Sequence, residues 1–114
     1  MNCNCILEEK DNIVILKVME KAVESEIAAS LKTKIIMAAK NSIKGLILDL
    51  SNVNLMDSSG LGALLLAYRL QKDSNFSLIL VGVQDFLQVL MNITKIEENF
   101  TFADSVENAI SMIK

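Results

Sequence analysis

The hydrophobic positions change period along the chain, and each change marks an element. Cys5 to Glu9 runs from apolar to polar, as an edge strand would. Asp11-Asn12 is a turn signal, because both side chains bond to nearby backbone and tolerate left-handed φ. Ile13 to Val18 is β-branched and almost wholly apolar, the pattern of a strand covered on both faces. So short a turn pairs the two strands antiparallel. From Glu24 to about Asn41 the period becomes helical, with Ile27, Leu31, Ile35 and Ala38 on one side and Lys32, Lys34 and Lys40 elsewhere. Gly45 opens a second buried-strand pattern, Leu46 to Leu50, and Ser59 to Lys72 reads as a second helix. Leu78 to Val81 is a strand stopped by Gly82. Asp85 to about Asn92 is a third helix with Phe86, Leu87, Leu90 and Met91 as its apolar side. Phe100-Thr101-Phe102 is a short strand. Asp104, with Glu107 three residues on, has the spacing of a capping box and starts a last helix with Val106, Ala109, Ile110 and Ile113 inward.

The order is therefore β-β-α-β-α-β-α-β-α. Strands separated by helices imply parallel neighbours joined by right-handed crossovers. The expected architecture is a single α/β domain over residues 1–114, a mixed sheet of four to five strands with helices packed against it.

Composition narrows the chemistry. With 52% hydrophobic and 22% charged residues the chain can bury a core and is no disordered tail. Histidine is absent, which removes Ser-His-Asp and Cys-His catalysis, histidine phosphotransfer and histidine-bearing metal sites. Net charge is −3, from 11 basic against 14 acidic residues, and Arg69 is the sole arginine. A nucleic-acid binder carries a clustered basic face instead. Cys3 and Cys5 fall on one face of a strand and are too few for a zinc site or a disulfide scaffold. They read as ordinary thiols in a reducing compartment. The most apolar stretch, Leu61 to Tyr68, contains Gly62 and ends at Arg69, well short of the ~20 residues a membrane span needs. The start, MNCNCILEEKD, has acids where a signal peptide has bases. The expectation is a cytoplasmic protein without direct membrane insertion.

One junction concentrates polar chemistry. In an open α/β sheet, sites gather at the carboxyl ends of the strands. After the strand Leu46 to Leu50, the connection Ser51 to Met56 leads to Asp57-Ser58-Ser59-Gly60-Leu61-Gly62 at the start of a helix. Asp and Ser are natural N-cap residues, since their oxygens accept the unpaired amides of the first turn. Two hydroxyls also sit where a helix dipole can stabilise a phosphate. Glycine in a helix costs roughly 0.5–1 kcal/mol relative to alanine, so two in one turn ask for a reason. Close helix–sheet packing is one reason and a docking surface is the other.

The stretch Leu46 to Gly62, with Leu48-Asp49-Leu50 followed by Asp57-Ser58-Ser59-Gly60-Leu61-Gly62, resembles the signature of the STAS domain (sulfate transporter and anti-sigma factor antagonist). The form it is similar to is that of the stand-alone bacterial anti-sigma factor antagonists. The two N-terminal strands, Val81-Gly82-Val83 and the closing Phe102 to Ala109 extend the likeness over nearly the whole chain. The resemblance implies a phosphorylation switch. The serine directly after the aspartate, here Ser58, is the target of a serine kinase that is also the anti-sigma factor. The unphosphorylated antagonist binds that kinase, the phosphorylated one lets go, and a serine phosphatase resets the cycle. Asp57, Ser58, Ser59, Gly60, Leu61 and Gly62, with Glu20 and Lys21 from the loop after the second strand, are the implied partner contacts. No catalytic residue, cofactor or metal is implied.

That loop departs from the pattern. The family has a glycine followed closely by an aspartate; this chain has Met19-Glu20-Lys21-Ala22-Val23-Glu24. The loop is expected beside the serine, and Glu20 or Glu24 offers an acid there without matching its position. Ser59 is the alternative phospho-acceptor. Asp49 reads as a strand-end polar residue, Met37 and Met91 as core filler, Arg69 and Lys72 as solvated. The other function the resemblance allows is a STAS subunit of a membrane lipid transport complex, or another partner-binding STAS protein, whose serine is never phosphorylated. A hydrolase using Ser58 or Ser59 would lack the base that a nucleophilic serine needs.

Overall fold

A computed structural model describes residues 2–40 and 42–113. Among these residues seven strands and four α-helices follow one another: β1 (Cys5–Lys10), β2 (Ile13–Val18), β3 (Ala22–Val23), α1 (Ser25–Ala39), β4 (Gly45–Asp49), β5 (Leu55–Met56), α2 (Ser58–Ser74), β6 (Ser77–Val81), α3 (Asp85–Ile93), β7 (Thr101–Ala103) and α4 (Val106–Ile113). A 3-10 turn, Glu97–Asn99, precedes β7. The main sheet has the order β1-β2-β4-β6-β7, with β1 antiparallel and the other pairings parallel. This is the mixed five-stranded α/β sheet that the pattern predicts. Asp11 and Asn12 both have positive φ, 53° and 65°, as a two-residue hairpin turn with the twist of its strands requires.

Alternation along the parallel strands sorts the core into two layers. Val14, Leu16 and Val18 of β2, Leu46 and Leu48 of β4, and Leu78 and Leu80 of β6 face one side, where α1, α2 and α3 cover them. Ile13, Ile15, Ile47, Ile79 and Val81 face the other, where α4 covers them with Ala109, Val106, Ile110 and Ile113. Both faces of β4 are thus dry, which explains a strand with all five residues buried. β1 is an edge strand, with Ile6 and Leu7 about half exposed.

Three expectations change. Phe86 points outward, 53% exposed, because α3 buries Leu87 and Met91 and packs Leu90 partly against the core. Met37 is 63% exposed on α1, so only Met91 of the pair fills core. The last helix is capped by Ser105 rather than Asp104: Ser105 Oγ accepts from Asn108 N–H at 3.1 Å. Lys72 is exposed, as expected, and also lies 5.6 Å over the Tyr68 ring, a cation–π contact. The expected end of the first helix at Asn41 lies outside the described residues.

Because adjacent residues of β4 enter separate buried layers, Ile47→Ala and Leu48→Ala should each cost about 2–5 kcal/mol. Urea denaturation checks this. A loss confined to Leu48→Ala would mean that the α4 face is wet.

Candidate functional site

The parallel strands β2, β4 and β6 all end on the same side of the sheet. Three connections meet there: residues 19–24 after β2, 50–57 after β4 and 82–84 after β6. Asp49 terminates β4 and its carboxylate accepts from Ser51 N–H at 3.0 Å, which turns the chain out of the sheet. It is a strand-end polar residue, as expected. Gly82 has φ +69°, and a Cβ there would stand 2.7 Å from Ser51 Cβ, so this crossing of two connections needs glycine. The Gln84 side chain donates to Ser51 O and ties the same two connections.

A feature without a sequence signal organises the site. β3 and β5 pair in parallel as a two-residue sheet, Ala22 against Leu55 and Val23 against Met56. Lys21 O accepts from Asn54 N–H at 2.8 Å and from Leu55 N–H at 3.1 Å, and Val23 O accepts from Asp57 N–H at 3.4 Å. The loop after the second strand therefore does lie against the helix opening. Strands of two residues carry no periodicity, so nothing in the pattern could reveal them.

Asp57 is the N-cap of α2: its backbone is extended and its carboxylate accepts from Gly60 N–H at 3.0 Å. Ser58 is the first helical residue and is exposed. Its hydroxyl has no hydrogen-bond partner among the described residues. Ser59 is half-buried. Gly60 and Leu61 are buried, so these two implied partner contacts lie beneath the surface. A Cβ on Gly60 would overlap the Met56 side chain and come within 2.5 Å of Val23 O. Close packing, and not docking, is the reason for that glycine. Gly62 is different: a Cβ there meets only the end of the Lys32 side chain, Nζ at 3.5 Å and Cε at 3.7 Å. Glu20 is engaged elsewhere, its carboxylate accepting from Asn4 N–H at 2.8 Å, whereas Lys21 is exposed beside the site.

Apolar surface is exposed on α3 and β5. α3 packs against β5, and its outer face carries Phe86, Val89 and Ile93, which are 53%, 57% and 72% exposed. Leu55 of β5 is 42% exposed, three residues before Ser58. Phe86 is expected on the apolar side of this helix, so the face goes unseen, although Phe86, Val89 and Ile93 recur at helical spacing.

Comparison with protein families matches residues 4–109 to the STAS domain. Among solved structures, an anti-sigma factor antagonist (STAS) domain protein of Planctomyces limnophilus superposes with a TM-score of 0.85 at 12% identity, covering 96% of this chain and 97% of that one. An anti-sigma factor antagonist of Mycobacterium paratuberculosis gives 0.79 at 22% identity, over 96% and 92% of the two chains. The Bacillus cell fate determinant SpoIIAA, in its phosphorylated form, gives 0.75 at 18% identity, over 97% and 100%. At these identities the likeness is one of fold.

The two glycines should respond oppositely to alanine. Gly62→Ala should stabilise by about 0.5–1 kcal/mol through helix propensity. Gly60→Ala should destabilise, since backbone at Val23 cannot yield without parting β3 from β5. Asp57→Ala should cost about 1 kcal/mol through the lost cap. Urea midpoints decide all three, and a neutral Gly60→Ala would show that β3 is loosely held.

Proposed function

The chain belongs to the STAS domain family, and on that footing we propose that it is an anti-sigma factor antagonist. It is a binding module that holds a serine kinase of the anti-sigma factor type while Ser58 is unphosphorylated. The observation that carries this reading is the exposed, unpartnered Ser58 hydroxyl on the first residue of α2, beside an aspartate N-cap. A kinase needs an acceptor that it can reach without unfolding the helix. Ser58 meets that need, and half-buried Ser59 meets it less well.

The switch follows from charge. Phosphorylation adds about −1.5 to −2 charges at neutral pH. At Ser58 this charge stands next to Asp57, whose carboxylate already occupies the Gly60 amide. In the free antagonist the phosphate stays in water, so the fold bears little cost. In a complex built around a neutral hydroxyl, the same group must be desolvated without a partner, at several kcal/mol. A loss of ~1.4 kcal/mol is already tenfold in affinity. Phe86, Val89, Ile93 and Leu55 supply apolar area for the kinase to cover, and Lys21 supplies a cation at the rim. A serine phosphatase returns the hydroxyl and with it the affinity.

Incubation with ATP and an anti-sigma serine kinase from the same genome, followed by mass spectrometry, should find one phosphoryl group on Ser58. Ser58→Ala should abolish the transfer. The phosphoprotein should bind that kinase at least tenfold more weakly than the unmodified chain. Equal affinities of the two forms, measured by calorimetry, would sink the proposal.

A further inference from the structure

The N-terminal segment carries two thiols that the serine site does not use. The ladder of β1 with β2 continues beyond Cys5, where Asn4 O accepts from Met19 N–H at 2.8 Å. Cys3 N–H donates to Ser30 Oγ at 2.8 Å, and Asn4 N–H donates to Glu20 Oε2 at 2.8 Å. Both cysteines are free, on backbone fixed by these bonds, and their sulfurs stand 3.2 Å apart. They differ in access. Cys3 is 2% exposed, whereas Cys5 is half-buried and borders a cleft of about 230 Å³ shared with Leu7, Leu16, Lys34 and Met37.

The charged groups facing the pair are Lys34 of α1 and Glu20 of the loop after β2. The hydrogen bond shared with Cys3 holds Cys5 below the usual thiol range, and Lys34 acts the same way against burial and Glu20. The same hydrogen bond, with burial, pushes Cys3 up. The lowered thiol is thus that of the more accessible residue, and the raised one that of the buried residue.

We propose that Cys3 and Cys5 form a redox modification site whose reactant is a small-molecule disulfide of the glutathione class. Cys5 is the attacking thiol and Cys3 the resolving one. Cys5 gives its proton to solvent, and its sulfur bonds to one sulfur of the reactant. The reactant's S–S bond breaks, and its other half leaves as thiolate. Cys3 then loses its proton to solvent and attacks Cys5 Sγ, displacing the second half as thiolate. Two protein thiols are oxidised to one disulfide and one small disulfide is reduced to two thiols.

Geometry makes this bridge labile. Two residues of extended chain span about 6.4–6.8 Å. Disulfides join Cα atoms about 4.4–6.8 Å apart, so the bridge sits at the upper edge of that range and pulls on the intervening residue. That residue is Asn4, whose N–H and C=O hold Glu20 and Met19. The same loop ends at Val23, against Asp57 and Gly60. Oxidation thus reaches the serine site through one loop.

The test incubates the full chain with oxidised glutathione, traps remaining thiols with iodoacetamide and reads mass. Wild type should lose both alkylatable thiols without retaining glutathione. Cys3→Ser, and Cys3→Ala should serine fit the buried site poorly, should stall with one glutathionyl group on Cys5. Cys5→Ser should stay unmodified. Glutathionylation of Cys5→Ser at the wild-type rate, no adduct on either Cys3 variant, or a wild type that retains its adduct would each overturn the assignment. Amide exchange at Asn4 and Met19 should be faster in the oxidised chain; unchanged rates would overturn the link to the loop.

Discussion

The close approach of Gly60 to Val23 and Met56 is the constraint on which the site depends. A helix can begin this tightly against a strand only where no side chain intervenes. The Asp57 carboxylate then closes on Gly60 N–H, and Val23 O receives Asp57 N–H. These contacts fix the axis of α2 relative to the sheet and leave Ser58 facing solvent at the helix mouth. Ser58 is exposed between buried neighbours, with Met56 before it and Gly60 and Leu61 after it.

The fold was legible because each parallel strand is apolar on both faces and each helix has a clear stripe. Ile47 and Leu48 enter different layers, yet both had to be apolar, and that doubling is visible in the chain as an unbroken run. The edge strand was legible for the converse reason, since Glu8, Glu9 and Lys10 have water on at least one side. What escaped was decided by single contacts. Asp104 and Ser105 are equally good caps on paper, and only the loop geometry after β7 selects Ser105. Phe86 and Leu87 are both large and apolar, and the rotation of α3 over the sheet chooses between them.

The candidate site was legible in part, through Asp57 and Ser58, because capping chemistry has fixed spacing. Its surroundings were not. The pairing of β3 with β5 joins residues more than thirty positions apart with two rungs, too few to leave a pattern. Glu20 looked available to a partner, but Asn4 claims its carboxylate. The nearness of Cys3 and Cys5 was implied by their spacing, whereas the difference in their access was not: Cys3 is buried with its N–H on Ser30 of α1, and Cys5 is half-buried at a cleft.

The outer rim of β1 has a further consequence. Its six residues leave backbone amides and carbonyls unpaired on the side away from β2, a template on which any extended chain could add a rung. Ile6 and Leu7 would favour such growth. Glu8, Glu9 and Lys10 oppose it, because an incoming copy in parallel register sets Glu8 against Glu8 and Glu9 against Glu9. The acidic end of this strand thereby helps to keep neighbouring molecules from zipping together in a crowded solution.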